Sequence, residues 1–156
     1  MRTRCVLVLA SLLAVTGCRL DHGSSADDAG AAPDVDVDSP AGQGMLAVQA
    51  RQCAQCHQSP NPDDGVLSGQ TTPVPHTHAY GSNLTPDPDT GMDSWDAGSI
   101  ALAILSRQGV DGGTLCGTMP AYTDAGMGTA EAMSIAAYLQ SLPPVWRPIP
   151  ASTCSH

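Results

Sequence analysis

Apolar positions recur along this chain in three separated stretches, each with helical spacing. In the stretch Thr129 to Leu142, Ala132, Ile135, Ala136, Leu139 and Leu142 share one face, and Pro143-Pro144 ends the run. Asp96 to about Gln108 repeats the pattern with Ile100, Ala103, Ile104 and Arg107. Asp96 suits an N-cap there, and Gly109 suits a stop. A further helix is predicted from Met45 to about Cys56, where Met45, Leu46, Val48 and Gln49 lead into a pair of cysteines. Between the Met45 and Asp96 helices lies Ser59 to Ser94, rich in Pro and Gly and without the alternation of a strand. A connection of that length calls for something to organise it. The pattern predicts an all-α class.

The N-terminal third reads differently. Arg2 and Arg4 precede an apolar run from Cys5 to Val15 that is too short to stay in a bilayer as a spanning helix. Residues 1–17 therefore read as an export signal. Residues 18–43 are dominated by Asp, Ala, Ser, Gly and Pro, with only Leu20, Val35 and Val37 as sizeable apolar groups. Such a segment buries too little to offset chain entropy, so a disordered acidic linker is expected. Asp34, Asp36 and Asp38 lack the glycine and terminal Glu of an EF-hand loop, and read as a self-repelling spacer. The folded domain is placed at 44–145 and a tail at 146–156.

Charge and composition narrow the function classes. There is no Lys, and the formal charge is −9. That excludes a nucleic-acid surface and electrostatic adhesion to an anionic membrane, and favours basic partners. Aromatic residues make up 3%, with no Phe, so a helical domain has few bulky side chains for its interior. A large apolar cofactor would supply the missing volume.

Of the six cysteines, Cys53 and Cys56 stand in Cys53-Ala54-Gln55-Cys56-His57. Two thiols three apart lie near one face of a helical turn, where they can add to the vinyl groups of one haem edge. His57, directly after, can present its imidazole to the iron. A structural zinc site needs further ligands, and no second C-x-x-C or H-x-x-x-H is present. A thioredoxin-like pair would follow a strand rather than a helix. The second axial ligand is assigned to Met119, which follows the Gly-rich run Gly112 to Thr118; a soft thioether suits Fe(II). Rival ligands are Met92, Met127, Met133, His76 and His78. Met133 reads as helix core, and Met127 as a staple before the last helix. Pro73 and Pro75 make the two histidines part of a solvated loop. Cys116 and Cys154 remain by subtraction: a disulfide in an exported protein, or two unpaired thiols.

Two resemblances sharpen this reading. Val15-Thr16-Gly17-Cys18 resembles a bacterial lipobox, which implies cleavage before Cys18 and its lipidation. The domain resembles class I c-type cytochromes, more narrowly the cytochrome subunits of bacterial membrane dehydrogenases. Three segments carry it: Arg51 to His57; Gly81-Ser82-Asn83-Leu84-Thr85-Pro86-Asp87 with Thr90-Gly91 and Trp95; and Met119-Pro120-Ala121-Tyr122 with Ala136 to Pro144. The resemblance implies a cytochrome c fold, three to five helices around one haem, with the N- and C-terminal helices packed together. It implies His57 and Met119 as axial ligands, and contacts from Asn83 and Trp95 to the haem propionates or the loop beside them. Tyr138 reads as helix packing. Cys116, close to the ligand Met, and the tail Cys154 depart from the pattern.

The function expected is outer-sphere electron transfer through one covalent haem c, without enzyme activity of its own. The alternative is a haem enzyme or gas sensor with an open or weakly held sixth position; a third reading is a non-haem structural lipoprotein. Partners are expected among redox proteins, a dehydrogenase or an oxidase, with a lipid anchor in the bacterial cell envelope facing the periplasm. Arg19, rather than an inner-membrane-retaining Asp, points to the outer membrane.

Overall fold

A computed structural model describes residues 32–154. The export signal, Cys18, most of the acidic linker and the last two residues lie outside the described residues.

The first helix, α1, spans Pro40–Ala50 and so begins five positions before the predicted Met45. Ser39 explains the start: its Oγ accepts from the Gly42 amide at 3.0 Å, and Pro40 at the first helical position brings a pre-set φ. Gly42, which looks like linker in the sequence, and Gly44, at the expected domain boundary, are buried with Val48 on the inner face of α1. A Cβ at Gly44 would collide with the Ser134 carbonyl and the Tyr138 Cβ, so the glycine sets how closely α1 approaches the last helix.

α1 does not run on into the cysteine motif as one helix. Gln52 adopts φ 58, a left-handed value that breaks the axis, and a short helix α2 (Ala54–His57) follows at a new angle. α3 spans Ala97–Ser106; Asp96 Oδ1 accepts from the Ser99 amide at 2.6 Å, as expected of an N-cap. It stops two residues earlier than expected, at Arg107 with φ 60, rather than at Gly109. α4 spans Thr129–Ser141, and Leu142 is held extended by the prolines that follow.

α4 is the central element, packed against α1 and against α3. Its predicted face is the one that is buried: Ala132, Ile135, Ala136, Leu139 and Leu142 are all within the core with Val48, Ile100, Ile104 and Met127. Met127 lies just before the Gly128 cap and is in the core with Ala132, consistent with a staple. Met133, expected in the core, is instead exposed, because its position falls off the face that α1 and α3 cover. Tyr138 is buried between the helices. Among the described residues the fold is all-α, with one isolated antiparallel bridge, Gln108 to Thr114, in place of any sheet. None of the described helices is long and apolar enough to cross a membrane.

The long connection between α2 and α3 carries its own order. A 3-10 turn, Pro62–Asp64, opens it. Backbone bonds tie Gly69 to His57, Gln70 to Gly81, Leu84 to Leu67 and Met92 to Thr85. Five polar residues are buried in it: Ser59, Ser68, Asn83, Thr85 and Asp87. The tail after Pro144 runs extended across this loop and holds Trp146 outward, 67% exposed.

Candidate cofactor site

α2 carries the cysteine motif on the wall of a cleft of about 840 Å³. The backbone of the motif is pinned from outside: Gly69 donates to the His57 carbonyl at 2.8 Å and Gln70 Nε2 to the Gln55 carbonyl at 3.0 Å. Gly81 lies against the Cys56 carbonyl so tightly that any Cβ would collide with it. The loop around Gly81 and Ser82 is thereby held on the motif.

Ser82 then acts on His57 through its main chain. The His57 Nδ1–H donates to the Ser82 carbonyl at 2.9 Å, which leaves Nε2 as the free ring nitrogen. Burial pushes the imidazole below its usual pKa, with the Ser82 bond opposing, so the ring is held neutral, the form that ligates metals. Cys53 and Cys56 are unpaired and half-buried. Burial raises the Cys53 thiol, while its contacts with Arg51 and the Tyr122 hydroxyl pull the other way.

On the same cleft lining, Met119 is half-buried and packs against the core. Its amide donates to the Cys116 carbonyl at 3.0 Å, closing a turn that presents the side chain. Of the rival ligands, Met92 also lines the cleft, whereas Met127, Met133, His76 and His78 do not. Trp95 lines the cleft, and its indole N–H makes no hydrogen bond among the described residues. Most of the lining is apolar, with Val48, Leu84, Ile104, Leu115, Ile135 and Leu139 prominent.

The Asn83 side chain is committed elsewhere. Its Nδ2 donates to the Val145 carbonyl at 2.8 Å and to Thr90 Oγ1 at 3.1 Å. Its Oδ1 accepts from the Thr85 amide at 3.0 Å and the Thr85 hydroxyl at 2.8 Å. Both donors and both acceptor positions are filled, so the amide has none left for a propionate, and Asn83 clamps the tail onto the loop. Cys116 and Cys154 are joined in a disulfide with Cα atoms 5.5 Å apart.

Arg51 was legible only as part of the motif match. Its guanidinium forms a two-pronged bond to Glu131 in the first turn of α4, Nε to Oε1 at 2.8 Å and Nη2 to Oε2 at 2.9 Å. It also donates to the Ala125 carbonyl at 3.1 Å. No local signal marks Glu131 as its partner, 80 positions away.

The donor set fits a covalently held haem: two free thiols at helical spacing, a neutral imidazole with one nitrogen fixed, and thioethers on the lining of the same apolar cleft.

Comparison with known proteins adds one coarse result. The chain is 30% identical over 110 residues to a nicotinate dehydrogenase subunit of Pseudomonas putida. The aligned segment covers 70% of this chain but 9% of that relative, so the chain spans a small part of its length. It is a distant relative of part of a dehydrogenase subunit. No family model matches the chain.

Proposed function

We propose that this protein is a monohaem c-type cytochrome that carries electrons. The observation that supports this best is the shared cleft: the thiols of Cys53 and Cys56, the imidazole of His57 and the thioether of Met119 all border one apolar cavity. In this reading Cys53 and Cys56 hold the haem through thioethers, and His57 and Met119 are its axial ligands. The haem supplies a one-electron Fe(II)/Fe(III) couple.

The chain's own groups set the conditions for that couple. The Ser82 carbonyl fixes the His57 tautomer and ring plane. The apolar lining keeps water from the site and favours the less charged state, and a Met ligand raises the potential further. Trp95 offers a free indole donor at the cleft wall. The similarity to part of a dehydrogenase subunit supports a redox role beside an oxidoreductase. The charge of −9 favours a basic docking face on that partner. Cys18 is the proposed lipid anchor, placing the protein at the periplasmic side of a bacterial envelope membrane.

Intact-mass measurement after expression with haem-attachment machinery tests the covalent step. The expected result is a mass increase of one haem that survives denaturation and disappears in the Cys53→Ser/Cys56→Ser variant. A mature chain carrying no covalent haem overturns the proposal.

A further inference from the structure

The C-terminal tail divides into a fixed root and a latched end. At the root, Val145 and Arg147 are held by Asn83, Thr85 and Thr90 through three hydrogen bonds, and the Arg147 guanidinium pairs with Asp64. Pro148 and Pro150 have no N–H to anchor. The far end regains contact at two bonds, Tyr80 N–H to Ser152 Oγ at 2.9 Å and Thr153 N–H to the His78 carbonyl at 3.0 Å. It finishes in the Cys116–Cys154 disulfide. Ser152, Thr153 and Cys154 themselves line the cleft, beside Thr118 and Met119.

The geometry points to the tail as a redox-latched strap. Residues 152–154 line the cleft and stay in place while the disulfide holds; when it is reduced, residues 150–154 swing about a root that ends at Ile149, whose side chain packs on Gly69. Two exposed hydrogen bonds on a proline-broken segment hold weakly by themselves, so the covalent latch decides whether the strap is closed. Reduction adds two electrons and two protons across the S–S bond to give two thiols, with a dithiol reductant oxidised to its own disulfide. An oxidising compartment keeps the strap closed. What the cleft holds rests on the proposed cytochrome reading; the latch does not.

Amide hydrogen exchange on the full chain tests this, comparing the oxidised protein, the protein reduced with dithiothreitol, and Cys154→Ala. Expected is roughly tenfold or more faster exchange at Tyr80 and Thr153 in the reduced and variant proteins, with α1, α4, Val145 and Arg147 unchanged. Unchanged protection at Tyr80 and Thr153 overturns the strap. So does a loss of protection that spreads through α4, which makes the disulfide a general staple. The readout makes no use of haem: a protein without haem that still shows the local change sinks the cytochrome reading and leaves the strap standing.

Discussion

The buried Asn83 amide, with all its hydrogen bonds made inside the protein, shows what one side chain can hold together. Asn83→Ala leaves the Val145 carbonyl and the Thr85 amide without their partners in a buried setting. Urea denaturation should show a loss of about 2 to 3 kcal/mol; a loss within a few tenths of wild type contradicts the clamp. The Asn83 clamp was not legible in the sequence, because Thr90 and Val145 meet it only in the fold, the latter 62 positions away. Cys53, Cys56 and His57 were legible as a motif, because their spacing lies within one helical turn, and the fold puts all three on the cleft lining. Met119 and Met92 both border the cleft, so the lining does not choose between them, while it leaves out the histidines, Met127 and Met133.

For the helices, periodicity worked where the apolar residues were large and failed where packing used glycine. The buried face of α4 follows from its Ile and Leu spacing, but α1 buries Gly42, which composition assigns to a flexible spacer, and Gly44 at the expected domain boundary. Gly44→Val should push α1 off α4 and lower stability by about 1 to 3 kcal/mol, read as a fall in the thermal midpoint by circular dichroism; an unchanged midpoint contradicts close packing there. Acid should act on the joints between elements. The Glu131 carboxyl is held below its usual range by the hydrogen bond from Arg51, and Asp64 and Asp87 chiefly by the hydroxyls of Ser59 and Thr90. Because these folded-state values lie below the unfolded ones, the stability they add is present above the unfolded carboxylate range and lost as pH falls through the folded values. The share of the thermal midpoint that these carboxylates supply should be level from pH 7 to about 5 and lost below about pH 4, so Glu131→Gln should lower the pH 7 midpoint while making the fall below about pH 4 smaller. A midpoint that rises on acidification contradicts these pairings.

The arrangement of the chain as one body was partly foreseen. An all-α domain with its first and last long helices in contact followed from pattern and resemblance. The tail did not. Residues 146–154 carry no periodicity, and the path that brings 152–154 to the cleft lining depends on partners at Asp64, His78, Tyr80, Thr90 and Cys116 that no local rule connects. The loop before α3, expected to need something to organise it, is tied by backbone hydrogen bonds and a buried polar network of its own. The proposed carrier role requires Met119 to bind the iron. The visible to near-infrared spectrum of the oxidised and reduced protein tests this most directly, with Met119→Ala and Met92→Leu alongside. A c-type reduced spectrum, with a sulfur-to-iron charge-transfer band in the oxidised form that Met119→Ala abolishes and Met92→Leu retains, is the expected result; a haem spectrum unchanged by Met119→Ala, or no haem spectrum at all, contradicts it.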